Sequence, residues 1–319
     1  MRVLTDRFHV GQGTQIGPIT AFPVWTEAKL SISYDTTPVA TLQVSELENP
    51  TIENLNIAST HPLPVLLPEG TVLDGGMQTR VLSRDVLVPT NRAIQVSTLC
   101  VESGRWSGGK RHEVDGRAPL SVISALRGLR QDARGVRRDG SEQRQQVVWD
   151  SVARYESNYG RRATSSLSKV MKDEEVLERN SEQERINRRF KMLTEQLKRF
   201  ASNPLPGQSG VILGVGGHPI MLEIMTSNRN FKKHFETLLN AVALDAAMAE
   251  EIPTTNSRAR KFAEIVMDTP LEIQSADITG QLMSGFNELV DIKALQPTLR
   301  GGAAIHTTVI NRSHELILA

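Results

Sequence analysis

The sequence has little of what builds disulfides, structural zinc sites or membrane spans. Its 319 residues include one cysteine, Cys100, which excludes an intrachain disulfide and a zinc site made of cysteines. No apolar run approaches the roughly 18 residues that a membrane span requires, and the first residues lack the apolar segment of a signal peptide. We therefore expect a soluble protein of the reducing cytoplasm with no membrane partner.

Aromatic residues and net charge are also low. Aromatic residues make up 4% of the chain, which argues against a protein that stacks single-stranded nucleic acid. The net charge is +1, but residues 105–200 contain 22 Lys and Arg against 14 Asp and Glu, so the rest of the chain is net negative. This asymmetry predicts two regions that have different partners or that attract one another.

Recognisable metal and cofactor motifs are missing. The seven histidines show no HxH or HExxH spacing, so we predict no metal site. The glycine-rich residues 214–218 lack both the GxGxxG spacing and the Lys-Ser/Thr of a P-loop, so a Rossmann or Walker nucleotide site is not expected. We predict no cofactor.

Short apolar runs between turn-forming residues predict a β-rich chain. In the central stretch they cover residues 65–67, 81–82, 86–88 and 94–96, with turns at 68–70, 74–76 and 89–91. Further strands are predicted at 16–25, 30–34, 39–44 and 55–57, with Pro18, Pro23 and Pro38 at strand starts or edges. Residues 210–226 predict a hairpin about Gly216-Gly217, and residues 304–310 and 316–318 predict strands.

Helical spacing begins after the connector at residues 107–110. Pro119 opens a helix that residues 139–140 end, and further helices are predicted over 147–155, 165–171 and 178–200, with another start at 173–175. Later helices are predicted over 230–250 and 257–267. The chain therefore reads as an α+β protein. We predict a β-sandwich-like or barrel-like core from residues 1–106 and 208–319, with a basic helical insertion at 107–207.

Two motifs carry a resemblance to a known family. Residues 75–80, GGMQTR, and residues 100–106, CVESGRW, resemble the bacterial ARPP-1 domain, the ARG and rhodanese-phosphatase-superfamily-associated protein domain. The resemblance extends to Trp149, the run 164–166 and residues 216–223, and so covers nearly the whole chain. It implies a link by gene neighbourhood to ADP-ribosyl glycohydrolases and phosphatase-like proteins, and hence to NAD or ADP-ribose metabolism. Met77 departs from the basic residue expected there, which argues against an anion contact at that point.

The same two motifs supply the candidate ligand-binding residues. Residues 75–76 with Gln78 and Arg80 could form an anion site beside a backbone turn. Gly104 permits a turn that aims Arg105 and Trp106, so that a carboxylate, a guanidinium and an indole could hold a ribose, a phosphate and a base. The structural alternative is an ion pair of Glu102 with Arg105 or Arg80 that pins the loop, with Trp106 filling a gap in the core.

Three residues are candidates for chemistry. Glu102 and His218, the latter on a predicted turn, are the candidate proton-transfer groups. Cys100 shares a strand face with Glu102 and could be a nucleophile if its pKa were lowered. The alternatives are that Cys100 is a small buried residue and that His218 is an ordinary surface or core histidine.

Two hypotheses of function follow. In the first, the protein binds or processes an ADP-ribose- or nucleotide-like small molecule with the residues above. In the second, it is a non-catalytic structural or interaction protein whose basic helices dock a protein or nucleic-acid partner. A solvated helix face with interspersed ion pairs also explains the basic residues, and a homo-oligomer is compatible with either hypothesis. The basic residues are Arg127, Arg130, Arg134, Arg137, Arg138, Arg161, Arg162, Arg185, Arg188, Arg189, Lys198 and Arg199.

Overall fold

The computed structural model describes residues 2–3, 6–29, 31–36, 39–129, 141–161, 166–172, 177–297 and 302–318. The strands are β1 (Arg2–Val3), β2 (Phe8–Val10), β3 (Thr14–Ile16), β4 (Ile19–Thr26), β5 (Leu42–Ser45), β6 (Asn54–Ser59), β7 (Val65–Leu67), β8 (Thr71–Gly75), β9 (Arg80–Leu82), β10 (Val86–Val88), β11 (Ile94–Cys100), β12 (Arg111–Arg117), β13 (Gly210–Val215), β14 (His218–Met225), β15 (Leu271–Asp277), β16 (Gly280–Phe286), β17 (Val290–Gln296) and β18 (His306–Asn311). The helices are α1 (Leu120–Leu126), α2 (Ser141–Asn158), α3 (Leu167–Met171), α4 (Ser181–Ala201), α5 (Asn228–Ala246), α6 (Asn256–Met267) and α7 (Glu315–Leu318). Among these described helices, none has the length and apolar character that crossing a membrane requires.

The elements form two compact units. Unit 1 comprises residues 1–37 and 193–318, and unit 2 comprises residues 38–192. Each unit combines strands with helices and one contains a closed barrel, so the predicted α+β class with a barrel-like core is confirmed. The predicted domain boundaries lie near residues 106 and 207, whereas the two units divide after residues 37 and 192. A separate helical domain over 107–207 stays a prediction.

Unit 2 is organised around a six-stranded barrel. Its strands follow the order β11-β6-β5-β12-β8-β9, and β7 pairs with β10 as a separate two-stranded sheet. Strands β6 and β11 alternate buried and less buried residues, as strands with one face toward a core do. The strands predicted at 65–67, 81–82, 86–88 and 94–96 are confirmed. The core consists of Val44, Leu55, Ile57, Val65, Leu67, Leu73, Leu82, Val86, Val88, Ile94 and Val96.

Strand β12 is an element of the barrel that the sequence did not predict. It pairs with β5 and β8 inside the barrel. Its residues include one aliphatic side chain, Val114, so no alternating apolar pattern announces a strand. The buried positions are instead His112 and Arg117, and the Arg117 guanidinium donates to the Glu69 carbonyl at 2.9 Å.

The helices of unit 2 follow the predicted spacing. Helix α1 begins directly after Pro119, whose missing N–H costs nothing at a helix start. The helices predicted over 147–155, 165–171 and 178–200 are confirmed as α2, α3 and α4. The predicted break at 139–140 and the predicted helix start at 173–175 lie outside the described residues.

Unit 1 is built on a ten-stranded antiparallel sheet. Nine strands follow the order β1-β15-β16-β17-β18-β14-β13-β4-β2, and β3 also pairs with β4. Helices α5 and α6 pack against the central strand β14. The predicted hairpin is β13–β14, in which Gly216 and Gly217 have φ angles of 57° and 84°. Positive φ at both turn positions matches the right-handed twist of the strands, and glycine adopts it without strain.

Some predictions for unit 1 are wrong. Pro23 lies inside β4 and not at an edge. Its carbonyl accepts from the Gly11 N–H at 2.8 Å. The side of the strand that lacks the proline N–H therefore faces the link between β2 and β3. Residues 31–34 form no strand, because the Tyr34 carbonyl accepts from the Asn230 side chain at 2.8 Å. Residues 316–318 are helical, and the Leu316 N–H donates to His314 Nδ1 at 3.2 Å.

A buried charge cluster ties helix α5 to the middle of the sheet. Glu223 on β14 is fully buried. Its Oε1 lies 3.0 Å from Nε2 of His234 on α5 and 3.1 Å from Nε2 of His306 on β18. A buried carboxylate is costly unless partners surround it. The cluster therefore holds three elements of unit 1 in one arrangement.

We expect Glu223→Ala to lower the free energy of unfolding by about 3–5 kcal/mol, because it removes the carboxylate that two buried imidazoles contact. Urea unfolding of the full chain measures this loss. The exposed Glu264 on α6 provides the control, and Glu264→Gln should stay within about 0.5 kcal/mol of the wild type. A Glu223→Ala variant as stable as this control would show that the cluster does not support the sheet.

Candidate functional site

The two sequence motifs meet at one end of the barrel in unit 2. Strands β9 and β11 pair so that Arg80 lies opposite Cys100. Gly75 and Gly76, with φ angles of 99° and 54°, turn the chain from β8 toward β9. Strand β8 includes residues 74 and 75, so the turn begins later than the sequence predicted. The predicted residues that lie in this region are Gln78, Arg80, Glu102, Arg105 and Trp106.

Glu102 is a carboxylate held by two donors. Its Oε2 accepts from the Thr79 N–H at 2.9 Å and from Arg105 Nη2 at 2.6 Å. Burial by itself raises the pKa of Glu102, but the bonds from Arg105 and Thr79 outweigh burial and lower the pKa below its ordinary value. Glu102 is therefore ionised at neutral pH, where it accepts hydrogen bonds but does not donate a proton.

Arg105 clamps the two motifs together. Its Nη1 donates to the carbonyls of Gly76 at 2.9 Å and Ser107 at 2.7 Å. Its Nη2 donates to the Gly75 carbonyl at 3.2 Å as well as to Glu102. The terminal N–H groups of this guanidinium therefore all have acceptors within the protein. The Glu102–Arg105 ion pair of the structural alternative is present.

Arg80 belongs to a second, buried network. The residue is fully buried, and its Nη2 lies 3.2 Å and 3.1 Å from the two carboxylate oxygens of Glu46. Its Nη1 donates to the carbonyls of Thr51 at 2.6 Å and Asn54 at 3.3 Å. His112 Nε2 lies 3.0 Å from the same carboxylate, and burial lowers the pKa of His112. Arg80 therefore pairs with Glu46 and not, as the structural alternative also allowed, with Glu102.

Trp106 is the exposed member of the site. Its side chain is 45% exposed, so the suggestion that it fills a gap in the core is wrong. The Arg80 guanidinium carbon lies 5.7 Å from the centre of the indole ring, within the range of a cation–π contact. Arg80 is inaccessible to solvent, so Trp106 is the member of this pair that a ligand could contact. The indole thus lies on a fixed cation with part of its surface open to solvent.

Gln78 lies beneath this region with one polar atom unused. It is 5% exposed, and its Nε2 donates to the Glu102 carbonyl at 3.2 Å. Within the described part of the chain its Oε1 accepts no hydrogen bond. A buried acceptor without a donor is costly, and because this oxygen has no accessible surface a ligand could contact it only after a local rearrangement.

Comparison with known proteins identifies the family. A family model described as the ARG and Rhodanese-Phosphatase-superfamily-associated Protein domain, ARPP-1, matches residues 7–310. The chain belongs to the ARPP-1 family. The resemblance drawn from the two motifs is therefore confirmed, and the match covers nearly all of the chain. Neither a curated protein nor a solved structure matches it.

Two residues of the ARPP-1 site gave no signal in the sequence. Glu46 follows the short strand β5, 34 residues before Arg80, and His112 lies in the unpredicted strand β12. Nothing in the local sequence of either residue marks it as a partner of Arg80. They come together only because β5 and β12 pair when the barrel closes.

Cys100 has the character of a buried thiol in the ARPP-1 domain. It is fully buried, and its Sγ donates to the Glu102 carbonyl at 3.0 Å. Burial raises the pKa of this thiol, which opposes formation of a nucleophilic thiolate. These observations favour the interpretation of Cys100 as a small buried residue. Within the described residues, no group of three or more His, Cys, Asp or Glu side chains could hold a metal ion.

His218 is the predicted site residue that belongs to unit 1. It is the exposed first residue of β14, directly after the glycine turn. Within the described part of the chain its ring makes no hydrogen bond or ion pair. The catalytic role predicted for His218, like that of Glu102, stays a prediction.

The basic residues of the ARPP-1 domain divide into two groups. Arg127 pairs with Glu69 at 2.7 Å and is buried at the contact, and Arg161 donates to Asn187 Oδ1 at 3.1 Å. Arg185 on α4 is exposed and pairs with Glu182 at 2.5 Å. Further exposed cations of α4 are Arg188, Lys198 and Arg199. The residues that lie outside the described ranges are Arg130, Arg134, Arg137, Arg138 and Arg162.

The lowered pKa of Glu102 predicts acid sensitivity. The unfolded state binds a proton at the ordinary carboxyl value, about 4.3, before the folded state does. The stability that Glu102 contributes is therefore complete above that value and is lost as pH falls through the lower folded value. We expect about 1–3 kcal/mol to depend on this carboxylate.

Urea unfolding between pH 7 and pH 3 measures this effect. Glu102→Gln should be less stable than the wild type at pH 7 and should approach it at pH 3. Glu113→Gln, which changes an exposed glutamate of β12, should leave the pH dependence unchanged. Parallel pH curves for wild type and Glu102→Gln would contradict the assignment.

Proposed function

We propose that this ARPP-1 domain is a cytosolic binding protein for ADP-ribose or a related nucleotide-like molecule, and that the base stacks on Trp106. The observation that carries the proposal is the 45% exposed indole resting on a buried guanidinium. Stacking of a base on an aromatic side chain is worth about 1–3 kcal/mol. A ring whose position is already fixed loses little conformational freedom when the ligand binds.

The acceptors beside Trp106 suit a ribose. Gln78 Oε1 has no donor among the described residues, and the Glu102 carboxylate is ionised. Ribose hydroxyls are donors that match the Glu102 carboxylate, whereas Gln78 Oε1 is buried and could be reached only if the side chains beside it moved. The base and ribose would therefore lie over residues 78, 102 and 106. In this arrangement Arg80 acts through Trp106 and not by direct contact.

Phosphate recognition by Arg105 would need an existing contact to break. The terminal N–H groups of Arg105 already donate to three carbonyls and one carboxylate. The geometry therefore favours recognition of the nucleoside part of the ligand. The lowered pKa of Glu102 makes it a poor proton donor at neutral pH, which favours binding over acid catalysis. The association of the family with ARG and rhodanese-phosphatase proteins supports an ADP-ribose context.

The second candidate function is a non-catalytic interaction protein. It is favoured by the saturated Arg105 clamp, which fixes loops in the manner of an architectural residue. The exposed cations of α4 would then dock an acidic protein or a nucleic acid. A homo-oligomer is compatible with this candidate.

Calorimetry tests the first proposal by measuring how tightly the purified protein binds ADP-ribose, AMP and ribose 5-phosphate. We expect ADP-ribose and AMP to bind more tightly than ribose 5-phosphate, because only the first two carry a base. Trp106→Leu should weaken ADP-ribose binding about 5- to 100-fold, the loss of one stacking contact. The free energy of unfolding of this variant should change by less than about 1 kcal/mol, since the ring is exposed.

Two further variants separate recognition from architecture. Met192→Ala, which removes another exposed apolar side chain of unit 2, should leave ADP-ribose binding unchanged. Arg105→Lys should lower stability by about 2 kcal/mol, because an ammonium cannot reproduce the fork of contacts. Absence of binding by all three ligands, with Arg105→Lys destabilised, would reject the ligand proposal and leave the interaction protein.

A further inference from the structure

A cleft in unit 1 contains His218 and shares no residue with the site around Trp106. It has a volume of about 790 Å³, within the range of small-molecule sites. The glycine turn before β14, the segment after α5 and the segment after β18 form its walls. Its polar lining residues are His218, Glu250, Asn311, Ser313, His314 and Glu315.

Part of this polar lining is already bound within the protein. The Asn311 side chain donates to the Pro219 carbonyl at 2.7 Å. His314 Nε2 lies 3.0 Å from the Val215 carbonyl, and its Nδ1 accepts a backbone N–H. Three other side chains make no hydrogen bond or ion pair within the described ranges. They are His218, Glu250 and Glu315.

The rest of the lining is apolar and open. Ile252 and Leu289 are 45% and 43% exposed, and both line the cleft, so apolar surface is accessible there. Met248 and Leu316 are half-buried beside them. The cleft therefore combines an apolar surface with two carboxylates that have no partner among the described residues.

We propose that this cleft binds an organic cation, a primary amine or guanidinium group carried on an apolar chain. The cation would pair with Glu250 and Glu315, and the chain would lie on Ile252 and Leu289. Anions are disfavoured because both carboxylates repel them. This ligand class differs from the nucleotide of the proposed function, and the inference does not rest on that function.

The glycine turn contributes to the shape of the cleft. A Cβ atom at Gly216 would lie 3.2 Å from Oε1 of Glu315, so the turn backbone and this carboxylate are close neighbours. The Glu315 carboxylate therefore lies beside a backbone surface that has no side chain. This arrangement leaves space at the carboxylate for the head group of a ligand.

Calorimetric titration of the full chain with ethylamine, butylamine and hexylamine tests the inference. We expect affinity to rise with chain length by up to about fourfold for each buried CH₂ group. Hexanol and hexanoate, which share the chain but lack the cation, should bind more weakly. Raising the salt concentration should weaken hexylamine binding, as screening requires.

Variants of exposed residues separate the two parts of the cleft. Glu250→Gln and Glu315→Gln should each weaken hexylamine binding about two- to fivefold, and the double variant more strongly. Ile252→Ser should reduce the dependence on chain length. Glu264→Gln, outside the cleft, should bind hexylamine like the wild type. Circular dichroism checks that each variant keeps its fold.

Three outcomes would overturn the inference. They are equal binding of hexanol and hexylamine, unchanged hexylamine binding in the double variant, and no binding at millimolar amine. Trp106→Leu should bind hexylamine like the wild type. The amine test therefore does not depend on whether the protein binds ADP-ribose. Conversely, the Glu250→Gln and Glu315→Gln variants should bind ADP-ribose like the wild type if both proposals hold.

Discussion

The buried ion pair between Arg80 and Glu46 is the contact on which the end of the barrel depends. A guanidinium taken out of water needs acceptors for its donors, and the two terminal nitrogens of Arg80 find them in one carboxylate and two backbone carbonyls. Glu46 in turn accepts the Met77 N–H and contacts His112. Strand β9, the turn before it and the segments after β5 are thereby fixed to one another. The indole of Trp106 lies on this network.

The same end of the barrel shows how architecture and recognition can use identical residue types. Arginine, glutamate and tryptophan are common in ligand sites, and all three occur within residues 102–106. The terminal donors of Arg105 are nevertheless already hydrogen-bonded to groups that connect one loop to the other. What remains for a ligand is the surface that these contacts expose, which includes the indole and the edge of one carboxylate. A binding surface of this kind is rigid because its supports are internally satisfied.

Unit 1 handles its charges differently. At the centre of its sheet, Glu223 is enclosed by two imidazoles, so a charge is placed where water cannot reach it. In the cleft beside the glycine turn, carboxylates face solvent and have no partner in the part of the chain that the structure describes. Enclosed charges hold elements together, whereas unpaired charges on an apolar surface are suited to binding.

The sequence by itself determined the α+β class, most strands of the barrel, the helices of both units and the β13–β14 hairpin. These features depend on local patterns, namely apolar periodicity, Pro119 at a helix start and two glycines in a turn. The two motifs also identified the family. Strand β12 was missed because its buried residues are polar. Residues 31–34 were wrongly predicted as a strand, and the Tyr34 carbonyl accepts from the Asn230 side chain and not from a strand partner.

Only the tertiary structure decided which residues of the motifs are occupied and which are open. Arg80 and Trp106 look equally suited to a ligand in sequence, yet one is fully buried and the other is 45% exposed. The difference arises from Glu46. It lies 34 residues before Arg80 in the sequence, and the pairing of the barrel strands brings the two side chains together. Local sequence reports what a side chain can do. Its partners, which come from distant segments, determine what it is left free to do.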